Sequence, residues 1–531
     1  MSANRYLSCS YVHLGWVMSK LECIISRLLS YLGFIVVGVL AICSLITTFV
    51  FPDSYIEHPE IAARYSIASL VLLPVFILIC FLIMARIKNG NLRMLRLFGS
   101  ICIAVLGLTW ILLNNFHPVA DQEACLNVAK GLSEGDVSLF QKASYISKYP
   151  FQSGLVLYLY LFGKLFGFSN WPIFRFFNVI WLIVSYNYIY LITERLFKSN
   201  SVCIIVLLLM VLFLPFSLFS HFIYGNVPSF MLCTAAIYYQ LLYLQKTPRP
   251  LYIILHIVFY LLALIIRLNS LLFLLSSIFV WLFSSKLSFV KPAKYLIVFG
   301  LLVSYFIASV VPTSIICRTV DCDLDNGIPK TAWIAMGMQD GPRCAGWYNN
   351  YIEEAYYSFD GNQADISSFS LDYIKDRIRY FMGNNLEFFQ FYKLKIGSQW
   401  LDPSFQSFWI TYTGYGEKPA DSELSGVTES LNYDSILQNS FRKGLLHKLS
   451  LVFMDVFQSY IYIFAAVGLF AFRKKCDLVK LLPLIVFYAG FLFHILWEAK
   501  SCYVIFNFVM LIPYAAYGLG IAYMEFEKDL S

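Results

Sequence analysis

Apolar runs of roughly 20 residues recur along the chain from Leu28 to Tyr523, each near the length an α-helix needs to cross a bilayer. The spacing predicts spans over 28–51, 65–85, 97–115, 172–194, 201–220, 225–244, 251–266, 269–285, 294–312, 449–471, 479–497 and 502–523. In lipid every backbone polar group must be satisfied within its own segment, which leaves helices for runs of this kind. The expected fold is therefore an all-α polytopic bundle of about 12 transmembrane helices. Two polar stretches interrupt it. One, 116–171, contains the apolar segment Ser153–Phe168, too short and aromatic for a span and read as a juxtamembrane or re-entrant helix. The other, 313–446, is far longer than an ordinary connection, which argues for a functional or separately folded element. The chain thus divides into N-terminal spans (1–115), a first outer loop (116–171), central spans (172–312), a large outer loop domain (313–446) and C-terminal spans (447–531).

Charge orients this pattern. Arg86, Lys88, Arg93 and Arg96 follow the second run, Arg195 and Lys198 the fourth, and Lys246 and Arg249 the sixth. Lys286, Lys291 and Lys294 follow the eighth, and Arg473, Lys474 and Lys475 the tenth. All five loops fall on one side if both termini share it, and the positive-inside rule makes that side cytoplasmic. The net charge of +7 thus reflects topology, with no nucleic-acid partner implied. Hydrophobic residues make up 59% and charged residues 13%, against about 25% charged in soluble chains. The residues up to Lys20 lack the form of a cleavable signal, so the first run is read as a retained anchor, with Met1 or Met18 as the start. Most of the 13 cysteines sit in apolar runs. Cys317, Cys322 and Cys344 lie in a polar region, where a disulfide is open but no zinc spacing exists.

The candidate chemistry starts at Asn114-Asn115-Phe116-His117-Pro118-Val119-Ala120-Asp121-Gln122-Glu123, where the third run leaves the membrane. Asp121 and Glu123 read either as a solvated turn at a helix start or as a general base at lipid-headgroup depth. Such a base would take the proton of an acceptor hydroxyl as that oxygen attacks a sugar carbon.

This segment resembles the first outer loop of the GT-C glycosyltransferases, polytopic enzymes using polyprenyl-phosphate sugars, and is most similar to a bacterial branch related to glycosyltransferase family 39 (protein mannosyltransferases and aminoarabinose transferases). The similarity rests on Asp121, Ala129 to Leu132, Tyr149-Pro150, Leu165-Phe166-Gly167 and Arg175. It continues through Phe222-Ile223-Tyr224-Gly225-Asn226, Arg267-Leu268-Asn269-Ser270 and His494-Ile495-Leu496-Trp497-Glu498-Ala499-Lys500. The resemblance implies Asp121 as catalytic base, inversion at the anomeric carbon and a polyprenyl-phosphate-linked sugar donor. Glu123, Tyr149, Gln152, Tyr224, Asn226, Asn269 and Glu498 are the further expected substrate contacts. Two departures stand out. Many relatives carry Asp-Glu where this chain has Asp121-Gln122, and an expected Arg-Tyr pair is replaced by Ser501-Cys502-Tyr503. Lys500 then takes the place of one phosphate-binding arginine.

Arg175 and Arg267, at outer ends of apolar runs, read as snorkelling anchors or as partners of the donor phosphate, whose charge grows as the sugar leaves. Glu498 and Lys500 read as a local ion pair or as part of the same site. His494 and Glu498 lie one helical turn apart, but no third metal ligand accompanies them. No cofactor is indicated, and dependence on a divalent metal is open. Asp321-Cys322-Asp323-Leu324-Asp325 lacks the glycine and terminal glutamate of a calcium loop and is read as a solvated turn. Trp333, Trp347, Trp400 and Trp409 are expected as interface anchors or local core, with stacking on a sugar face as the alternative. Lys393 and Lys395, ahead of Trp400, are candidates for a phosphate.

No Walker loop or dinucleotide fingerprint is present, which argues against a cytoplasmic nucleotide-sugar site. The leading expectation is a membrane glycosyltransferase at the outer face of a bacterial plasma membrane, with lipids around it and a glycan, lipid or protein as acceptor. The alternatives are a polysaccharide polymerase or ligase, dependent on outer-loop Arg and His, and a transporter or flippase. A transporter would place charges near the bilayer midplane, whereas here the acidic residues cluster outside the runs.

Overall fold

The computed structural model describes residues 2–52, 57–87, 91–245, 248–286, 292–322, 324, 327–413 and 436–530. Met1, Lys88, Lys246, Lys291, Asp323 and Asp325, which entered the readings above, lie outside the described residues.

Helices dominate. In chain order they are α1 (Ser2–Ile46), α2 (Ala63–Ile87), α3 (Leu92–Leu113), α4 (Asp121–Glu134), α5 (Tyr145–Lys148), α6 (Ser153–Phe166), α7 (Trp171–Phe197), α8 (Asn200–Leu212) and α9 (Leu214–Leu218). There follow α10 (Asn226–Gln245), α11 (Pro250–Ile266), α12 (Leu271–Phe283), α13 (Pro292–Val320), α14 (Lys330–Gly337), α15 (Tyr351–Ser358), α16 (Gln363–Gly383), α17 (Asn385–Trp400) and α18 (Ser407–Tyr412). The last five are α19 (Ile436–Arg442), α20 (Leu445–Phe472), α21 (Leu482–Leu496), α22 (Ser501–Val509) and α23 (Ile512–Leu530). A two-stranded antiparallel ribbon joins α1 to α2, with β1 (Thr48–Val50) paired to β2 (Glu60–Ala62).

Among the described residues eight helices are long and apolar enough to cross a membrane, or ten if each of two bent pairs is one span. The bends are 56° between Asn200–Leu212 and Leu214–His221, and 48° between Ser501–Val509 and Ile512–Phe526. Each break is followed by a proline at the second position of the new helix, Pro215 or Pro513. Proline lacks an N–H and is tolerated there but not within the ladder. Pro250–Ile266 and Leu268–Phe283 are apolar but shorter. Every expected run falls on one of these twelve segments, although length and composition qualify only ten as spans. The chain is a multi-pass membrane protein.

Contacts between distant junctions mark two ends of the bundle. At one end Glu22 accepts hydrogen bonds from Ser285 N (2.8 Å) and Leu478 N (3.1 Å), and Lys286 pairs with Asp477 at 3.2 Å. Lys198, Lys286 and Lys475 gather here around Lys480. The other end receives the β1–β2 ribbon, the loop before α4, the turns 222–225 and 267–270, helices α14–α18 and residues 497–500.

Packing ties the outer elements to the bundle. α20 runs against α1, α2 and α23, and α10 against α7 and α11. The apolar stretch 153–168 forms a 14-residue helix, α6, packed on α4, α11 and α13. Gly154 admits this approach, because a side chain there would run into the Ile265 carbonyl. Gly337, closing α14, likewise lies against the backbone of Leu496 and Trp497. Among the described residues no disulfide joins Cys317, Cys322 or Cys344 to one another, and one links Cys23 to Cys476 at the opposite, basic end.

Candidate functional site

The loop that delivers Asp121 is pinned from below by α7. Arg175 is fully buried and donates to the Phe116 carbonyl at 2.6 Å. One turn further along, Asn178 donates to the carbonyls of Ser220 (3.1 Å) and Phe222 (3.0 Å). His221 bonds to the Asn114 carbonyl at 2.6 Å. The exit of α3 and the turn before α10 are thereby fixed to one another. Ala120, immediately before the acid, has φ +55°. Such a conformation in a non-glycine residue costs about 1–3 kcal/mol and gathers at functional sites.

Asp121 opens α4 with its carboxylate exposed to a cavity of about 1140 Å³. Tyr224 donates to Asp121 Oδ2 at 3.0 Å, and Gln152 donates to the Tyr224 hydroxyl. Gln122 is buried, and its Oε1 accepts from Ile223 N at 2.7 Å. The residue that departs from the Asp-Glu pattern thus docks α4 onto the turn without burying a second charge. Arg267 lies 4.1 Å from the Tyr224 ring centroid and donates to its carbonyl at 3.4 Å. Tyr224 therefore stands between the candidate base and the candidate phosphate partner.

A second charged group faces Asp121 across the cavity. Glu57 is buried and accepts from Gln406 Nε2 at 3.0 Å; it pairs with Lys500 Nζ at 3.0 Å and with Arg343. Glu498 lies beside them. Its burial, countered by Lys500 and reinforced by Glu57 and Asp121, raises its carboxyl to about 7. Burial alone would lower Lys500, but the carboxylates of Glu57 and Glu498 outweigh it and hold the ammonium above the usual lysine value. On a third side Glu353 accepts from the Tyr149 hydroxyl at 2.8 Å and from Lys148 at 3.2 Å. Trp333 stacks on Trp497 at 5.7 Å and 7° and completes an aromatic wall with Phe493, Tyr149 and Phe151.

Of the residues expected from sequence, Asp121, Tyr149, Gln152, Tyr224, Arg267, Asn269, Glu498 and Lys500 line this one cavity. Five others stand outside its lining. Glu123 faces His117 at 3.9 Å. Arg175 holds the Phe116 carbonyl, and Asn226 is buried at the start of α10. Lys395 is buried and donates to the Gly337 carbonyl, its ammonium pushed down to about 7 by burial against the opposing pull of Glu498. Trp400 is 1% exposed and packs on Phe487 (5.2 Å) and Phe491 (5.5 Å), so stacking on a sugar is closed to it. Trp400→Ala is expected to lower stability by about 3–5 kcal/mol while leaving ligand affinity of the remaining folded protein unchanged, as thermal unfolding in detergent beside a binding titration will show. Trp347 is likewise core, whereas Trp409 and Trp333 line the cavity.

Sequence reading missed Glu57, Arg343 and Glu353. Glu57 had a signal, since it follows the first apolar run much as Asp121 follows the third. Arg343 and Glu353 lie in the long polar segment, where no local pattern separates a cavity residue from a surface one. Among the described residues no group of three His, Cys, Asp or Glu side chains is arranged to hold a metal ion.

The pH behaviour of the charged group follows from its burial. A carboxyl whose folded pKa is raised binds protons that the unfolded chain has released. Stability therefore falls as pH rises between the ordinary value of 4.5 and about 7 for Glu498. Glu498→Gln is expected to flatten that slope in a series of unfolding midpoints from pH 4.5 to 8. An unchanged slope would assign it to other groups, Asp402 first, whose carboxyl burial raises to about 6.

Residues 155–311 match the family model of dolichyl-phosphate-mannose-protein mannosyltransferases. The match takes in Arg175, Tyr224, Arg267 and Asn269 and stops short of Asp121, Glu498 and Lys500. No curated protein matches the chain. Two solved structures are similar. One is the Archaeoglobus fulgidus oligosaccharyltransferase in the apo form, at 13% identity and TM-score 0.40, covering 82% of this chain and 51% of that one. The other is the archaeal oligosaccharyltransferase AglB from Archaeoglobus fulgidus in complex with an inhibitory peptide and a dolichol-phosphate, at 13% identity and TM-score 0.38, covering 84% and 52%. The chain spans about half the length of these structures.

Proposed function

We propose, for a chain whose residues 155–311 match the dolichyl-phosphate-mannose-protein mannosyltransferase family model, that it is a membrane glycosyltransferase of the GT-C type and transfers a sugar from a polyprenyl-phosphate donor to an acceptor hydroxyl at the outer membrane face. The observation that carries this reading is the convergence of Asp121, Arg267 and Lys500, from three distant segments, on one cavity at the end of the bundle opposite the basic loops. Asp121 takes the proton of the acceptor hydroxyl, and that oxygen forms the new bond to the anomeric carbon. The bond from that carbon to the phosphate oxygen breaks on the opposite face. Its electron pair leaves with the phosphate, and the configuration inverts. Arg267, Lys500 and Arg343 face the growing charge on the departing phosphate. Tyr224 orients Asp121 and braces Arg267 at the same time.

The basic loops make the opposite end cytoplasmic by the positive-inside rule, with both termini there. A bacterial plasma membrane fits this reading. The five segments drawn from sequence serve it as an N-terminal anchor, an acid-bearing outer loop, a central donor-binding block, an outer lid and a C-terminal block carrying Lys500. The test is transfer by reconstituted protein from a panel of labelled polyprenyl-phosphate sugars, with the product linkage read by NMR. Inverted product supports the assignment, and retained configuration would remove Asp121 as a base in a single displacement. Substrate carried across vesicles without transfer would establish a transporter.

A further inference from the structure

The segment Asp402-Pro403-Ser404-Phe405-Gln406 lies between α17 and α18, behind the charged wall of the cavity. Asp402 is fully buried and lines no part of the cavity. Its Oδ1 accepts from Ser404 N (2.9 Å) and Ser404 Oγ (2.7 Å). Its Oδ2 accepts from Gln406 N (2.8 Å) and Ser501 Oγ (2.6 Å). Four donors on one carboxylate make a rigid node, since each lone-pair direction is used.

The node holds its surroundings in an unusual shape. Phe405 and Gln406 have φ of +48° and +57°, left-handed values that two consecutive non-glycine residues adopt only when the surroundings impose them. The result aims the Gln406 side chain at the wall. Its Nε2 donates to Glu57 Oε1 at 3.0 Å, the oxygen that also meets Lys500, and its Oε1 accepts from Cys502 N at 3.3 Å. Asp402 thus grips the chain on both sides of the charged group, through Gln406 toward Glu57 and through Ser501 directly next to Lys500.

We infer that Asp402 is a positioning residue for the phosphate end of the donor site, fixing Lys500 and Glu57 through Gln406 and Ser501. The inference rests on the proposed function, because Lys500 must serve a phosphate for its placement to matter. Asparagine at 402 would present an amide N–H₂ on one side of the node, where the backbone N–H of Ser404 or Gln406 would meet a second donor while the serine hydroxyl beside it would have to turn and accept.

The test measures affinity for polyprenyl phosphate, the product common to all donor sugars, on full-length protein in detergent. The variants are Asp402→Asn, Ser501→Ala, Lys500→Gln and the double variant Asp402→Asn/Lys500→Gln. Asp402→Asn is expected to weaken binding by about 10-fold, and Ser501→Ala by less, within the range of coupled neighbours. On the Lys500→Gln background the Asp402 substitution should add nothing further, since it acts through that lysine. Equal losses with and without Lys500 would make Asp402 a general structural residue and overturn the inference. If Asp402→Asn does not fold, Ser501→Ala on both backgrounds decides the same question. No binding of polyprenyl phosphate by the wild type would instead overturn the proposed function, and the inference with it.

Discussion

Asp121→Asn protein is expected to transfer sugar about 10²- to 10⁴-fold more slowly than the wild type, the usual contribution of a positioned general base. Asparagine keeps the size of the side chain and still accepts the Tyr224 hydrogen bond seen at 3.0 Å. The side chain is exposed to the cavity, so the substitution leaves no buried charge without a partner. Stability should stay within about 0.5 kcal/mol. The loss should appear in kcat, with affinity for polyprenyl phosphate little changed, because in the proposed mechanism the carboxylate meets the acceptor and not the phosphate. Rates and unfolding midpoints on the same preparations check both halves. Equal rates in the two proteins would remove Asp121 from the chemistry and turn attention to Glu498, one of three further carboxylates on the cavity wall with Glu57 and Glu353.

Lys500→Gln combines two effects. Its ammonium meets Glu57 at 3.0 Å and balances Glu498, both buried. Removing one partner of such a buried group costs about 3–5 kcal/mol, because the remaining charges stay out of water. Transfer should also fall about 10²- to 10³-fold, as when one group that stabilises developing charge is deleted. Lys500→Arg keeps the charge and should recover most of the stability. The separating measurement is a double variant with Glu57→Gln, which removes the stranded carboxylate. Stability should return in that protein while transfer stays low. Recovery of both would make Lys500 a purely structural partner of Glu57.

Much of the fold was legible in the chain because lipid imposes a length and a composition that no local context overrides. Runs such as 65–85 and 449–471 formed as Ala63–Ile87 and Leu445–Phe472. The count was less secure where a proline such as Pro215 bends a run, or where a helix such as Pro250–Ile266 is shorter than a bilayer requires. The site was half legible. Asp121, Tyr224, Arg267 and Lys500 occur beside helix ends, where chemistry at a membrane surface must sit. Lys395 and Trp400 occur in equally polar sequence, yet they face inward. A helix such as α17, packed on both bundle and loop, does not announce which side looks into a cavity.

The sequence by itself determined the class of environment, the alternation of two bundle ends and the placement of the acid-bearing loops at one of them. Those follow from the energy of placing charges and unsatisfied backbone groups in lipid, a property of each segment taken alone. The tertiary structure decided which charges share a cavity. Glu57 lies 443 positions from Lys500 and 286 from Arg343, and only long-range packing brings them together. It also decided that Arg175 and Asp402 act from behind the wall, since the difference between touching a substrate and holding the residue that does is set by direction and burial, which no local pattern encodes.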